Sequence, residues 1–206
     1  MPLQEEVRQH RDPDRTRAAI LGAAFRQIYA HGYQGMRLDE VLAETGLTKG
    51  ALYHHFPNKQ ALGYAVVDEV IAGIICDLWC KPLEVADRPL DRLIELVEAV
   101  GDMAGVDVIT YGCPLNNLAQ EMSPLDEGFR QRIDHVYREW HRGLRDALER
   151  ARRLGQMCDD SDPGEIASFV LGALSGCIGI AKNAQSRDQL RTCLAGLTRF
   201  LRSLSC

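Results

Sequence analysis

Residues 37–59 contain a dense group of side chains whose chemistry suits recognition of nucleic acid. Lys49 can donate to a guanine edge or to a phosphate, while Gly50 and Ala51 are small enough to approach a thymine methyl group. Tyr53 and His54 follow within one helical turn and can donate to backbone phosphates. The expected DNA contacts also include three flanking residues: Arg37, Thr48 and Lys59.

Two short helices joined by a tight turn must hold these side chains. The first is predicted from Leu38 to Thr45, because its apolar residues recur at helical spacing and its acids point away. Gly46 can end it in the left-handed conformation, and Thr48 can cap the next helix through its hydroxyl. The second helix is predicted to run to Phe56, before Pro57.

An upstream helix completes a predicted three-helix domain. Asp12 or Asp14 can cap it, and a break is expected at residues 31–35. Its apolar face is expected to form the third wall of the domain, through Ile20, Leu21, Ala24, Phe25, Ile28 and Tyr29.

The motifs of residues 14–64 resemble the N-terminal domain of TetR-family transcriptional regulators. They are Ala23-Ala24-Phe25, Gly32-Tyr33, Leu38-Asp39-Glu40-Val41, Gly46-Leu47-Thr48-Lys49-Gly50, Leu52-Tyr53-His54-His55-Phe56 and Asn58-Lys59. Met36 departs from the pattern, since it stands where a capping Thr or Ser is usual, and Leu42 stands where Ala is common. The resemblance implies a homodimer that binds two half-sites of a double-stranded DNA palindrome and whose DNA binding is controlled by a small-molecule effector.

The distribution of charge agrees with this organisation. The net charge is −5, yet residues 1–60 carry eight Lys or Arg against seven acids, so the acidity belongs to the remainder. A near-neutral reading domain argues against tight non-specific binding, which depends on phosphate neutralisation. We expect a disordered arm at 1–12, a helix-turn-helix domain at 13–60, and a helical effector-binding and dimerisation domain at 61–206.

No segment is expected to enter a membrane or a secretory path. The first residues have no apolar core, and the uncharged stretch 166–181 is too short and too rich in Gly and Ser to span a bilayer. Seven cysteines, an odd number, lack the spacing of a secreted disulfide framework. These features predict a cytoplasmic protein.

Helical periodicity continues after residue 60, which predicts an all-α chain. A linking helix is expected to about Cys80 with Leu62, Val66, Val70, Ile74 and Leu78 inside, followed by a loop between Pro82 and Pro89. Further helices are predicted at 90–100, 115–121 and 126–153, with a break at 101–112. Asp162-Pro163-Gly164-Glu165 is a strong start signal for the next one.

The last two helices are expected to form a dimer interface. One is apolar nearly all round and carries small residues, including Gly172 and Gly176, that permit close helix contact. The final helix has leucines at heptad spacing, among them Leu190, Leu194, Leu197 and Leu201. The alternative is that both helices line the core of one subunit. The resemblance to the TetR family implies a four-helix bundle between two subunits.

An effector pocket is expected around residues 111–118, the densest polar cluster of the C-terminal part. Tyr111, Cys113, Asn116 and Asn117 can orient a ligand. The pocket wall is expected from apolar residues that are as well suited to plain core: Trp79, Met103, Phe129, Tyr137 and Trp140.

Cys113 is either a reactive thiol or a small buried hydrophobe. The segment Gly112-Cys113-Pro114-Leu115 resembles that of the TetR subgroup which includes electrophile-responsive repressors, and this implies a thiol sensor. The helix start at Leu115 is expected to lower the pKa of the Cys113 thiol.

Enzymatic and metal chemistry find little support. Cys76 and Cys80 lie one helical turn apart, but core packing is favoured over a metal or redox pair. His135 and Glu139 share a helix face, so zinc would require ligands from other helices. No phosphate loop, Ser-His-Asp arrangement or nucleotide fingerprint is present, so neither a cofactor nor enzyme activity is expected.

Three functions therefore remain open at the level of the sequence. The first is a ligand-responsive transcriptional repressor, the second a DNA-binding regulator without a small-molecule effector, and the third a helical thiol or metal-binding protein. The pattern of residues 36–59 favours the first two.

Overall fold

The structure is a computed structural model that describes residues 13–102, 107–158, 160 and 162–205. Every regular element in these ranges is helical, which confirms the all-α prediction. The chain divides into two compact units, one up to Val66 and one from Val67. The predicted arm at 1–12, the capping role of Asp12 and the pocket role of Met103 fall outside the described residues.

The first unit contains α1 (Pro13–Gly35), α2 (Leu38–Thr45), α3 (Lys49–His55) and α4 (Lys59–Ala65). The predicted break lies at Gly32, whose φ is 76°. Glycine can adopt this positive φ because it has no Cβ atom. Helix α1 packs against α2 and α4. The core side chains of α1 are Ile20, Leu21, Ala23, Ala24, Phe25 and Ile28.

A continuous helical run leads from α4 into the second unit. It consists of a π-helical turn (Val66–Ile71), α5 (Ala72–Ile75), a second π-helical turn (Cys76–Cys80) and α6 (Lys81–Glu84). The helix thus passes through Pro82, which occupies the first turn of α6, and the loop is shorter than predicted. Because proline has no N–H, the run lacks a main-chain hydrogen bond from residue 82.

The buried face agrees with the prediction at Leu62 and Val66, which are fully buried, and differs from it by one residue further along the run. Val67, Ile71, Ile75, Trp79 and Leu83 are buried, whereas Val70, Ile74 and Leu78 are half-buried. A strict four-residue spacing drifts by about 40° per repeat on a regular α-helix. The π-helical turns contain more residues per turn, which offsets this drift. No local pattern in the sequence predicted these turns.

The remaining helices are α7 (Pro89–Glu98), α8 (Pro114–Met122), α9 (Glu127–Arg153), α10 (Pro163–Ala184) and α11 (Arg187–Ser203). A short 3₁₀ turn at Ala99–Asp102 extends α7. Helix α9 is central and packs against α7, α8, α10 and the run that ends at Glu84. The predicted start of α10 is confirmed, since Asp162 accepts from the backbone N–H groups of Gly164 and Glu165 at 2.8 and 3.0 Å.

The leucine stripe of α11 lies in the core of a single chain. Leu190, Leu194, Leu197 and Leu201 are at most 5% exposed, and α11 packs against α7 and α10. This corrects their expected place at a dimer interface. Heptad spacing shows that a helix face is buried, but it does not show which chain covers that face.

By length and composition alone, the 22-residue helix α10 could cross a bilayer, with a mean hydropathy of 1.6 over its most apolar window. The uncharged stretch 166–181, which was expected not to span a bilayer, is only part of this helix. Eight of its residues are buried in the second unit, and α10 packs against α9 and α11. Such packing accounts for an apolar helix without a membrane.

A disulfide joins α10 to α11 through Cys177 and Cys193, whose Cα atoms are 5.4 Å apart. Cys158 is also disulfide-bonded, whereas Cys76, Cys80 and Cys113 are free thiols. The sequence spacing gave no indication of the Cys177–Cys193 bond, because these two residues meet only through the packing of α10 against α11.

We expect Cys193→Ser to lower the free energy of unfolding by about 3 kcal/mol without reductant, because the bond closes a loop of 16 residues. Urea denaturation with and without dithiothreitol measures this difference. Reduction should make the two proteins equal, since the variant and the reduced wild type then share the same open loop. Cys76→Ser is the matched control and should follow the wild type throughout. A deficit that persists in dithiothreitol would contradict the account.

Candidate nucleic-acid interface and effector site

The turn between α2 and α3 has the predicted local structure. Gly46 takes a left-handed conformation (φ 64°) and donates its N–H to the Leu42 carbonyl at 2.9 Å. Thr48 precedes α3 in an extended conformation, and its hydroxyl oxygen accepts the Ala51 N–H at 3.2 Å. These two devices fix the angle at which α3 leaves the turn.

Helix α3 separates its buried and exposed residues cleanly. Leu52 and Phe56 are 1% and 3% exposed, and the Arg17 guanidinium lies 5.1 Å from the centre of the Phe56 ring. Lys49, Gly50, Tyr53 and His54 are all exposed, while Ala51 is half-buried. The predicted contact residues thus share an accessible surface of α3.

Lys49 makes a weak, exposed ion pair with Asp39. Its Nζ lies 3.1 Å from an Asp39 carboxylate oxygen, and both side chains are more than two-thirds exposed. Ion pairs of this kind contribute at most about 1 kcal/mol. The ammonium group can therefore exchange Asp39 for a phosphate or a base edge at little cost.

Lys59 and Arg37 lie at the starts of α4 and α2. The Lys59 Nζ donates to the Gln34 carbonyl at 3.1 Å and lies 5.0 Å from the centre of the Tyr33 ring. Arg37 is exposed and is the N-cap residue of α2, without a side-chain cap bond. This corrects the assignment of the missing cap to Met36, which is buried at 2% exposure. Asn58 caps α4 by accepting the Ala61 N–H at 2.8 Å.

In the second unit, the polar residues before α8 form one connected group. The Asn117 amide donates to the Tyr111 carbonyl at 2.6 Å, and Lys182 of α10 donates to the Asn117 side-chain oxygen at 3.4 Å. Tyr137 of α9 donates to the side-chain oxygen of Asn116 at 3.4 Å. The sequence prediction brought these residues together correctly, but their polar groups largely bind one another.

Cys113 is the N-cap residue of α8 and is 8% exposed. Burial raises the pKa of its thiol above the ordinary value, and the N–H groups of Asn116 and Leu115 only partly oppose this effect. The expectation that the helix start would lower this pKa was wrong, because desolvation outweighs the helix terminus. Burial also raises the pKa of Tyr137 to about 12, so this residue is a neutral donor.

The predicted pocket wall is mostly core. Phe129 is fully buried, and Trp79 and Trp140 are each 3% exposed, with ring centroids 5.3 Å apart. Tyr137 is half-buried and stacks with Trp140 at 6.5 Å. Trp140, one of the predicted wall residues, borders a large cleft.

That cleft has a volume of about 740 Å³ and lies between the helical run of residues 68–84 and α9. Its apolar part includes Ala72, Ile75, Val136 and Trp140. Its polar part consists of Cys76, Cys80, His135 and several charged residues: Asp68, Glu84, Glu139, Arg142, Asp146 and Arg150. The volume falls within the range of small-molecule sites.

Comparison with known proteins gives consistent results along the chain. Residues 20–66 match the bacterial regulatory proteins of the tetR family, and residues 89–197 match the tetracyclin repressor-like C-terminal domain. An uncharacterized HTH-type transcriptional regulator in the lacX 3′ region of Lactococcus lactis subsp. lactis is 30% identical over 182 residues, covering 86% of this chain and 88% of its own. The chain belongs to the TetR family.

Two further proteins are similar over nearly their whole length. The HTH-type transcriptional repressor NemR of Escherichia coli (strain K12) is 25% identical, over 95% of this chain and 98% of its own. The crystal structure of a TetR-family transcriptional regulator from Cytophaga hutchinsonii shares the fold with a TM-score of 0.83 at 21% identity, over 94% of this chain and 96% of that one. This TetR-family protein is therefore a helix-turn-helix transcriptional regulator.

Helix α10 of this TetR-family protein presents an apolar surface to solvent. Phe169 and Ile180 are 54% and 52% exposed. Gly172 and Gly176 lie between them, and a Cβ atom at either glycine would meet nothing within 4 Å. The two predicted interface glycines are thus exposed, in contrast to the leucines of α11.

Sequence reasoning missed the thiols of the cleft in this TetR-family protein. Cys76 and Cys80 were assigned to the core, yet both are half-buried, free and part of the cleft lining. Among the described residues, no group of three or more His, Cys, Asp or Glu side chains could hold a metal ion.

Proposed function

We propose that this protein is a ligand-responsive transcriptional repressor, which binds a palindromic operator as a homodimer and is released by a small molecule or a reactive electrophile. The observation that carries the proposal is the capped α3, with Lys49, Gly50, Tyr53 and His54 exposed on it. A short helix of seven residues reads few base pairs, so two copies in a dimer are needed for a specific site.

Repression and cytoplasmic location are proposed from the family and from relatives such as the NemR repressor. The exposed α10 surface around Gly172 and Gly176 supports a homodimer, since a soluble chain gains stability by covering such a surface. The partners proposed are therefore a second copy of the chain and double-stranded DNA. No enzyme activity is proposed.

The cleft of about 740 Å³ favours an effector over a regulator that works without one. A ligand releases DNA only if it binds more tightly to the conformation that reads the operator poorly. One wall of the cleft is the helical run that follows α4 without interruption. A ligand in the cleft can therefore bias the conformation of that run.

We expect Lys49→Ala and Tyr53→Ala each to weaken operator binding, because each removes an expected contact to the DNA backbone. Each lost phosphate contact should reduce the slope of log affinity against log salt by about one unit per subunit. Fluorescence anisotropy on an operator duplex at several salt concentrations measures that slope. Both side chains are substantially exposed, so thermal stability should stay at the wild-type value.

The control for these variants is Lys81→Ala, which removes an exposed lysine of the second unit. It should leave the salt slope unchanged. If Lys49→Ala and Tyr53→Ala bind with wild-type affinity and slope, α3 is not the recognition helix.

A further inference from the structure

The cleft beside α9 contains two free thiols with different surroundings. Cys76 and Cys80 belong to the same π-helical turn, and both line the cleft. Cys80 is crowded by α9, because a Cβ atom at Gly143 would lie 3.1 Å from its sulfur. Burial raises the pKa of Cys80 to about 11, and the charges of Cys76, Glu139 and Glu84 add to this rise. Cys76 is thus the more available thiol of the pair.

The other cysteines of the second unit are less suited to nucleophilic addition. Cys113 is buried at 8% exposure, and burial raises the pKa of its thiol. Cys177 and Cys193 are joined to each other, and Cys158 is also disulfide-bonded, so none of the three carries a thiol. Among the described cysteines, Cys76 combines a free thiol, partial solvent access and a place in the cleft lining, without the crowding that α9 imposes on Cys80.

A second observation at the same cleft points to a ligand with a hydrogen-bond acceptor. Trp140 lines the cleft, and its indole N–H is buried without a hydrogen-bond partner among the described residues. A buried donor that lacks a partner destabilises a structure, because it has lost its hydrogen bonds to water. A ligand carbonyl that accepts a hydrogen bond from this N–H removes the destabilisation. A ligand with such an acceptor is therefore expected to bind more tightly than one without it. The indole and the neighbouring Ile75 and Val136 favour an apolar ligand body.

We propose that Cys76 is the site at which small α,β-unsaturated carbonyl compounds modify this protein, with the carbonyl oxygen accepting the indole N–H of Trp140. The site is distinct from the cluster around Cys113. The inference deepens the proposed function, and it rests on that function only where the adduct is expected to release the operator.

The reaction is an addition that needs no oxidant or reductant. The Cys76 thiol gives its proton to solvent, and its sulfur forms a bond to the β-carbon. The carbon–carbon double bond becomes a single bond as its electron pair moves towards the carbonyl oxygen, where the Trp140 N–H stabilises the growing negative charge. The α-carbon then takes a proton from water. The net result is addition of S–H across the double bond.

Adduct mapping on the full-length protein tests the proposal without reference to DNA. The protein is treated with one equivalent of 2-cyclohexenone, then digested, and each cysteine peptide is quantified by mass spectrometry. We expect Cys76 to react at least about tenfold faster than Cys80 or Cys113. Cys76→Ser should lose this fast adduct, whereas Cys113→Ser should retain it. Modification of Cys113 before Cys76, or equal rates at the three thiols, would overturn the proposal.

The role of Trp140 is tested with Trp140→Phe, which keeps an aromatic ring beside Trp79 and removes the donor. The reaction of Cys76 with 2-cyclohexenone should slow about three- to tenfold, the effect of one lost hydrogen bond. Its reaction with iodomethane, an alkylating agent without a carbonyl, should keep the wild-type rate. An equal loss with both reagents would show that Trp140 only supports packing, and it would overturn its assigned role.

Operator binding is then measured separately, so that the two proposals can fail independently. If Cys76 is modified and DNA stays bound, the site stands and electrophile release is wrong. If 2-cyclohexenone still releases DNA from Cys76→Ser at the wild-type dose, electrophile release stands and Cys76 is not its site.

Discussion

Gly176→Glu is expected to convert the protein from a dimer to a monomer and to weaken operator binding at least about 100-fold. In the single chain, a Cβ atom at Gly176 meets nothing within 4 Å, so the substitution leaves the fold of one subunit intact. In the proposed dimer the same carboxylate would be buried without a partner, which destabilises an interface by about 3–5 kcal/mol. Loss of the dimer removes the second half-site contact, and affinity falls with it.

Sedimentation equilibrium and operator titration measure the two effects on the same samples. Gly73→Glu is the matched control, since Gly73 is another helical glycine with open space at Cβ, away from α10. It should remain dimeric. An intact Gly176→Glu dimer would place the interface on a surface other than that of Gly172 and Gly176.

Gly50→Glu is expected to abolish specific DNA binding while stability is retained. The nearest atom to a Cβ at Gly50 is the Thr48 hydroxyl oxygen at 3.9 Å, so the fold accepts a side chain there. A carboxylate near the start of α3 is compatible with the helix dipole. On the exposed face beside Lys49, however, it would repel the phosphates of both half-sites and block close approach of the backbone.

The expected loss of affinity is at least about 100-fold, because each of the two subunits contributes one unfavourable charge of about 1.4 kcal/mol or more, and each such charge lowers affinity about tenfold. Gel shifts on the operator and thermal unfolding measure binding and stability. Gly50→Gln separates charge from size and should bind better than Gly50→Glu. Wild-type affinity of Gly50→Glu would show that this face of α3 does not meet DNA.

The helix-turn-helix could be predicted from sequence because its signals are local. Gly46 and Thr48 each act within one turn of their own position, and the structure places each in the predicted role. The start of α10 at Asp162 was predictable for the same reason. The identity of the N-cap of α2 was not, because Arg37 carries no side chain that caps.

The errors arose where packing between distant segments decides the outcome. The buried face of the helical run lies at Ile71 and not at Val70, and Cys76 and Cys80 line a cleft between this run and α9. The heptad leucines of α11 were covered by α7 and α10 of the same chain. The pKa of Cys113 rises with its burial, which depends on contacts that no local pattern reveals.

The most direct test begins with the purified wild-type protein, which is used to select the DNA fragments that it binds from the genome of the source organism. The protected positions on the recovered fragments are then mapped by hydroxyl-radical footprinting. The account predicts one enriched palindrome with two symmetric protected segments, about one DNA turn or a multiple of it apart, and no enrichment with Gly50→Glu. A single asymmetric footprint, or equal enrichment by the wild type and Gly50→Glu, would contradict a dimeric regulator that reads DNA through α3.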